Sequence, residues 1–361
     1  MKSEQFRNDD AIFQNLEKWA IHSLLAVGTL CCLLLANYWN VISNVAGQPH
    51  SVTFFVLTGL LALVDCTSSV LYFPFLSEFK PIYMRSLLIG EGFSGLIPSL
   101  VALIQGVGGN PSCRTEIVNG TSHIYPTYSP PLFSVEIFFY FLTGLMCLSW
   151  ISFHFLNTLQ LVKHERVSTA LNTSRSSEEL LPATQISRKN FITLLLLQCY
   201  CCYLMNGILA AIQTYSTLPY GNTTYHMATT LTVISGPVAV FLVFFFQNSE
   251  SFQKPILPLT FVGSLCAAYI LFLAISSPSP PLQGSVFGSI LVVTTWVIFH
   301  GCFSYVKACI AGCLRSSYNQ GALFMYGVST QIGSLIGAIV IFTVMNTTKT
   351  FVAYNPCSSR Y

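Results

Sequence analysis

Residues 60–70 read LLALVDCTSSV and residues 88–98 read LIGEGFSGLIP. Each stretch lies in an apolar run of membrane-spanning length and carries one carboxylate near its middle, Asp65 or Glu91. An ionisable side chain at the bilayer centre costs about 2.5–3.5 kcal/mol on insertion scales, so it usually faces the interior of a helix bundle and marks a solute or proton pathway. The two stretches therefore indicate a helical membrane protein with a polar route through it.

The composition agrees with a chain that lies mostly in lipid. Hydrophobic residues make up 53% of the 361 residues and charged residues only 8%, whereas soluble domains carry about 25% charged residues. The net charge of +3 is small and scattered. We therefore expect the lipid bilayer as surroundings and no nucleic-acid partner.

Hydropathy predicts nine membrane-spanning helices, each long enough for a hydrocarbon core of about 30 Å. Helices are expected because alternating barrel-strand patterns are missing and no water reaches these depths to bond an open backbone. The approximate limits are 20–42, 52–76, 84–106, 132–157, 191–215, 227–247, 256–276, 285–305 and 321–345. The predicted fold class is an all-α multi-pass membrane protein with two helical bundles.

A polar, Ser/Thr-rich stretch divides these spans into a group of four and a group of five. Its composition favours a flexible connection between two bundles. The predicted order is a cytosolic N-terminal segment, a first bundle, a cytosolic linker, a second bundle and an extracellular tail, at residues 1–19, 20–159, 160–190, 191–345 and 346–361.

The distribution of Lys and Arg predicts the orientation. With the N-terminus in the cytosol, every Lys and Arg falls on the cytosolic side except Arg114, Lys349 and Arg360. This asymmetry is the positive-inside bias, and it places the C-terminus outside. Three glycosylation sequons then fall outside, where the modification occurs: Asn119, Asn222 and Asn346.

Two further expectations depend on this orientation. The sequon at Asn172 falls in the cytosolic linker, so it should stay unmodified. Of the thirteen cysteines, only Cys113 and Cys357 face the oxidising side, which permits a disulfide between them without establishing it. The other cysteines lie in apolar spans or lack the neighbouring His or Cys of a zinc site. We expect neither a metal nor a cofactor.

Polar residues inside the later spans are candidate substrate contacts. Asn206, Gln213 and Tyr215 lie in the fifth span, Trp296 in the eighth and Gln331 in the ninth. Asn206 and Gln213 are seven residues apart, so they share one face of a regular helix. Amides offer paired donors and acceptors, and aromatic rings offer stacking faces. This combination suits a neutral, planar, heteroaromatic solute better than an inorganic ion.

The same residues have structural interpretations, and one motif has an enzymatic one. Amides in membrane helices often bond neighbouring helices, and nearby Thr and Ser hydroxyls could hold Asp65 and Glu91. Gly92-Phe93-Ser94-Gly95 matches the short signature of rhomboid-type intramembrane serine proteases, with His300 as a distant base. A four-residue match is common by chance, and His300 alone is typical of a packing residue. We therefore expect no enzymatic activity.

Several ordered blocks, which cover nearly every span, resemble the eukaryotic riboflavin transporter family. They are LALVDCTSSV at 61–70 with Pro74-Phe75, GEGFSGL at 90–96 with Pro98, Asn206-Gly207, QTYS at 213–216, Tyr220-Gly221, Tyr225-His226, SYVK at 304–307 and QIGSL at 331–335. The resemblance implies a plasma-membrane carrier that takes up riboflavin without requiring sodium. It also implies a fold related to equilibrative and major-facilitator carriers.

The resemblance implies eleven spans, and this chain is similar to the family from the third span onward. Polar residues 1–18 stand in place of the first two spans. Because a pair of spans is involved, the orientation of the later spans is unaffected. A shortened, transport-incompetent partner or regulator of a full-length carrier is therefore an alternative to the carrier, and the intramembrane serine protease is a further one.

Overall fold

The computed structural model describes residues 2–45, 47–77, 79, 81–106, 109–118, 121–160, 187–246, 254–317 and 320–357. Within these residues nine helices are long and apolar enough to cross a membrane. The predicted all-α multi-pass fold is confirmed. Most of the predicted linker, residues 161–186, lies outside the described part of the chain.

The described residues form ten α-helices. They are α1 Lys2–Tyr38, α2 Val52–Ser77, α3 Pro81–Ile104, α4 Val135–Thr158, α5 Arg188–Cys202, α6 Ala210–Thr217, α7 Asn222–Phe246, α8 Ile256–Ile275, α9 Val286–Ser317 and α10 Gln320–Thr347. The predicted spans differ from them mainly at two places. Helix α1 begins near the N-terminus because polar residues also form helix, and hydropathy does not detect polar helical turns. Helix α9 continues to Ser317, and residues 306–314 are mostly apolar, so the predicted span ended too early there.

The fifth span is one continuous helical segment, Arg188–Tyr220, built from four pieces. Between α5 and α6 lies a π-helix at Tyr203–Leu209, and after α6 a 3₁₀ turn at Leu218–Tyr220. A π-helix closes i→i+5 hydrogen bonds and therefore turns less per residue than an α-helix. The face shared by residues seven apart in a regular helix is consequently not maintained across this span.

Two short antiparallel hairpins, which the sequence analysis did not predict, occupy loops between spans. Strands β1 Ser43–Val45 and β2 Gln48–His50 follow α1. Strands β3 Ser112–Val118 and β4 Thr121–Thr127 lie between α3 and α4. Cys113 on β3 is joined to Cys357 near the C-terminus by a disulfide, with 5.6 Å between the two Cα atoms. The structure thus contains the bond that the sequence only permitted.

The chain forms two compact units. Unit 1 comprises residues 1–84 and 133–183, and unit 2 comprises residues 85–132 and 184–361. In unit 1, α1 packs against α2 and α4. The core there is formed by the buried side chains of Ile21, Leu25, Phe75, Phe79 and Phe153.

Unit 2 contains the six later helices together with most of α3. Helix α9 packs against α7 and α8, and α10 packs against α5 and the π-helix. The third span was predicted to lie in the first bundle; in the structure, α3 from Arg85 onward belongs to unit 2. The reason is visible at Gly92, where an added Cβ would lie 2.2 Å from the Pro237 side chain of α7. Helix α3 therefore packs on α7 through a glycine.

Candidate functional site

The fifth and ninth helical segments are held together by glycines that let their backbones meet. A Cβ added at Gly333 would lie 2.2 Å from the Cys199 carbonyl oxygen, and one at Gly337 would lie 2.4 Å from the Tyr203 carbonyl oxygen. A Cβ added at Gly207 would lie 2.5 Å from the Cα of Gly337. Any side chain at these positions would separate the helices. We call this contact, between residues 198–207 and 330–337, the seam.

Polar side chains of the fifth span are bonded across the seam to hydroxyls of α10. Asn206 donates from Nδ2 to Ser334 Oγ at 3.0 Å, and the fully buried Gln198 donates from Nε2 to Thr330 Oγ1 at 2.9 Å. Interhelical hydrogen bonds of this kind hold membrane helices in register. Of the two predicted roles for Asn206, this contact favours the structural one.

A third hydroxyl of α10 extends the seam towards α9 and α3. The buried Tyr326 donates from its hydroxyl to the Lys307 backbone carbonyl at 3.4 Å. The Glu91 carboxylate is near enough to interact electrostatically with Tyr326 and with Cys202. The sequence analysis missed these hydroxyls as partners, although Tyr326, Thr330 and Ser334 are spaced by four residues. That spacing marks one face of a helix.

Two of the predicted substrate contacts keep their polar groups available. The amides of Gln213 and Gln331 are half-buried and have no hydrogen-bond partner among the described residues. The backbone carbonyl of Gln213, by contrast, accepts from Thr217 Oγ1 at 2.7 Å. The Tyr215 ring lies beside Phe351, with 5.6 Å between the ring centroids. These three side chains are the best described candidates for contact with a solute.

Asn206 and Gln213 lie in different environments. This difference is expected because part of the π-helix lies between them. Asn206 is exposed and Gln213 is half-buried. The prediction that the two share one face assumed a regular α-helix throughout. Because the π-helix ends at Leu209, between these residues, that assumption is wrong.

Trp296 occupies a different kind of position from the one predicted for a stacking residue. Its side chain is 3% exposed, and its Nε1 donates to Ser216 Oγ at 3.2 Å. The ring meets Phe299 edge to face at 6.0 Å between centroids. Protein atoms therefore surround both the ring and its donor in this structure, and the residue ties α9 to α6.

The two carboxylates lie on exposed positions of their helices. Asp65 and Glu91 are both exposed. The hydroxyls expected to hold them bond the helix backbone instead: Ser68 Oγ donates to the Asp65 carbonyl oxygen at 2.7 Å, and Ser94 Oγ to the Glu91 carbonyl oxygen at 2.7 Å. Short side-chain hydroxyls in a helix commonly bond the preceding turn in this way. Local capping of the carboxylates was the wrong expectation for these two hydroxyls.

The residues of the protease hypothesis are not paired. Ser94 Oγ bonds a backbone carbonyl, and His300 Nδ1 instead lies 3.2 Å from Ser235 Oγ and 3.5 Å from Ser304 Oγ. A nucleophilic serine needs its base within hydrogen-bond reach. In the described part of the chain, no group of three or more His, Cys, Asp or Glu residues could hold a metal ion.

The described sequon residues are bonded to backbone carbonyls. Asn222 donates from Nδ2 to the Gly109 carbonyl at 2.6 Å, and Asn346 donates from Nδ2 to the Phe342 carbonyl at 2.7 Å. Asn110 Oδ1 accepts from the Asn222 backbone N–H at 2.8 Å and so caps the start of α7. Asn119 and Asn172 lie outside the described residues.

Comparison with known proteins assigns the family. The profile of "Solute carrier family 52, riboflavin transporter" matches residues 10–181 and 168–353. The chain is similar to "Solute carrier family 52, riboflavin transporter, member 3-A" of Danio rerio, with 35% identity over 95% of this chain and 84% of that protein.

Two human proteins give the same result. Member 3 is 32% identical over 94% of this chain and 83% of that protein, and member 2 is 34% identical over 95% and 82%. All of these are named as solute carriers and none as an enzyme, which confirms the expectation that this chain is not an enzyme. The chain therefore belongs to solute carrier family 52, the riboflavin transporter family.

Proposed function

We propose that the chain carries riboflavin across the plasma membrane into the cell without requiring sodium. Its membership of a family whose relatives are named riboflavin transporters is the observation that supports this proposal most strongly. The chemistry of unit 2 agrees with it. Two half-buried amides, those of Gln213 and Gln331, have no hydrogen-bond partner among the described residues, and such amides can donate to and accept from a polar solute.

Riboflavin matches these side chains group by group. Its isoalloxazine ring is flat and has an edge of alternating carbonyl and N–H groups, which an amide complements with one donor and one acceptor. The ribityl tail carries hydroxyls that a second amide can bind. Tyr215 offers an aromatic face for stacking. We assign the ring edge to Gln213 and the tail to Gln331, because Gln213 lies two residues from Tyr215 on the same span.

The proposed orientation has a cytosolic N-terminus and an extracellular C-terminus. The bias of Lys and Arg supports it, and so does the position of the disulfide between Cys113 and Cys357. Both cysteines lie on the proposed outer side, where disulfides persist. The proposed organisation of four spans, a cytosolic linker and five spans follows from the same assignment.

Uptake of radiolabelled riboflavin tests the proposal directly. Cells expressing the chain should accumulate label, unlabelled riboflavin should compete, and replacing sodium by choline should leave the rate unchanged. A version extended at its N-terminus by the first two spans of a relative serves as the matched control. Uptake by the extended version alone would support the alternative of a transport-incompetent partner. Surface biotinylation reports on plasma-membrane placement in the same cells.

A further inference from the structure

Unit 1 contains a cavity that the riboflavin proposal does not use. It has a volume of about 630 Å³ and lies between the N-terminal part of α1 and the C-terminal part of α4. Its lining includes Lys18, Trp19, His22, Trp150, His154 and Asn157. This volume is within the range of sites for small molecules, about 300–1,000 Å³. We call it the α1–α4 cavity.

Most of the lining surface of the cavity is apolar, and its polar part offers hydrogen-bond donors and positive charge. Trp150 donates from Nε1 to His22 Nδ1 at 3.0 Å. A neutral imidazole carries one donor and one acceptor nitrogen, so this bond makes His22 Nε2 the donor. The ring of His154 lies 6.0 Å from that of His22, centroid to centroid, and Lys18 adds an ammonium group. None of the described lining residues is acidic. Such a lining is complementary to an anion.

Apolar side chains flank the cavity on the side nearer the middle of the two helices. Leu30 is 54% exposed on α1, and Leu148 and Ile151 are 60% and 53% exposed on α4. Trp19, at 73%, is exposed too. Tryptophan is enriched at the level of lipid headgroups, where its ring is partly apolar and its N–H is polar. An anion with a long apolar tail therefore matches the cavity and its flank together.

We propose that the α1–α4 cavity binds the headgroup of an acidic phospholipid. The phosphate would be held by Lys18, His22 and His154, with the acyl chains along Leu30, Leu148 and Ile151. In the proposed orientation this end of both helices faces the cytosol, and the cytosolic leaflet is the one rich in acidic lipids. The choice of leaflet rests on the proposed orientation, whereas the choice of ligand class rests on the cavity alone.

Tryptophan quenching by brominated lipids tests the ligand. The full chain is reconstituted in nanodiscs of phosphatidylcholine that contain either brominated phosphatidylserine or brominated phosphatidylcholine. The variant Trp39→Phe serves as background, because Trp39 lies at the opposite end of α1. We expect an apparent affinity about fivefold higher for the acidic lipid, as one cation close to the headgroup predicts. Equal quenching by the two lipids would overturn the proposal.

Variants assign the effect to the cavity. The double variant Lys18→Gln, His154→Gln should lose the preference, whereas Lys254→Gln, which removes a cation outside the cavity, should keep it. Preference retained by the double variant would refute the site. Inorganic phosphate at millimolar concentration is the second arm of the test. If phosphate binds the chain in nanodiscs of phosphatidylcholine alone and abolishes the preference for the acidic lipid, the ligand is free phosphate and the lipid proposal fails. Both leaflets of a nanodisc carry the same lipid, so the outcome is independent of orientation and of riboflavin uptake.

Discussion

Helices α2 and α3, which carry the carboxylates, differ from the two helical segments of the seam. They differ in how much of their surface is buried and in where their polar side chains lie. In the most apolar windows of α2 and α3, 6% of residues are buried, compared with 39% for residues Arg188–Tyr220 and 28% for α10. Asp65 and Glu91 are exposed on the first pair. On the second pair, Asn206 and Gln198 are bonded to hydroxyls of the neighbouring helix.

This difference separates two uses of polarity that look alike in sequence. A polar group on a well-packed helix finds a partner in the protein and contributes to the register of the helices. A carboxylate on a sparsely buried helix costs several kcal/mol unless its environment is polar, so it is retained for function. The seam is therefore the structural region, whereas we expect substitutions at Asp65, Glu91, Gln213 and Gln331 to affect transport.

The largest effect should follow from placing a side chain in the seam. Gly333→Val puts its Cβ 2.2 Å from the Cys199 carbonyl oxygen, which forces the backbones apart. Overpacking of this kind costs about 1–3 kcal/mol or more, so surface-expressed protein should fall by about 5- to 150-fold. Gly144→Val is the control, because nothing lies within 4 Å of a Cβ there. Surface biotinylation measures both, and equal expression of the two variants would contradict the seam.

Replacing either carboxylate should lower transport rather than folding, and the two replacements should differ in the size of this effect. Glu91 interacts electrostatically with Tyr326 and Cys202 of the seam, so it couples the exposed position to the packed region. Glu91→Gln should lower riboflavin uptake per surface molecule by about tenfold, which corresponds to about 1.4 kcal/mol. Asp65→Asn should have a smaller effect. Loss of uptake in Asp65→Asn with Glu91→Gln unaffected would reverse this ranking.

Alanine variants of the two amides of the fifth span should differ in phenotype: one should change the uptake constant and the other the expression level. Gln213→Ala should raise the apparent uptake constant for riboflavin about tenfold, because a buried hydrogen bond to the solute is worth about 1–3 kcal/mol. Asn206→Ala should instead reduce expression with little change in that constant, since its partner is Ser334. Ser334→Ala is the matched control for Asn206→Ala. A raised uptake constant in both alanine variants of the fifth span would return Asn206 to the substrate site.

Trp296 should behave as a structural residue. Trp296→Phe keeps an aromatic ring and removes the hydrogen bond to Ser216, which should cost about 1 kcal/mol of stability. Ser216→Ala should cost a similar amount, and the double variant should cost less than the sum because the two share one bond. Thermal unfolding in detergent measures all three. An uptake constant that rises in Trp296→Phe, with stability unchanged, would support stacking on the solute instead.

The smallest expected effect concerns glycosylation and the orientation. Asn119→Gln should increase gel mobility by one glycan, and Asn172→Gln should leave mobility unchanged, because only the first faces outward in the proposed topology. Asn222→Gln should also shift mobility, although this Asn bonds the Gly109 carbonyl in the folded chain. A mobility shift on losing Asn172 would invert the orientation. Treatment of the unsubstituted protein with a glycosidase is the control.

The spans could be predicted from sequence because the thickness of the membrane fixes their length and hydropathy. All nine helices appear where apolar runs of about 20 residues occur. The π-helix at Tyr203–Leu209 and the polar turns of α1 could not be predicted in this way. Hydropathy sums residues over a window, so it contains no information on local helix type or on polar helix ends.

The candidate site could be predicted only as a set of residue types. Gln213, Gln331 and Tyr215 remain candidates, whereas Trp296 is enclosed by protein and Asn206 is bonded to Ser334. Whether a polar side chain meets a solute or a neighbouring helix depends on tertiary register, and spacing along one helix does not specify it. The hydroxyls at Thr330 and Ser334 illustrate this, because they are ordinary helix residues until their partners on α5 and the π-helix are known.

The disulfide between Cys113 and Cys357 turns the chain between these residues into a covalent ring. That ring includes residues 161–186 and every helix from α4 to α10. A protease that cuts once inside the ring opens the backbone but releases no fragment. The cleaved protein would migrate as one band without reductant and as two bands with it. Proteolytic damage on either side of the membrane would thus leave the five later spans tethered to α3, and the carrier could be nicked without being divided.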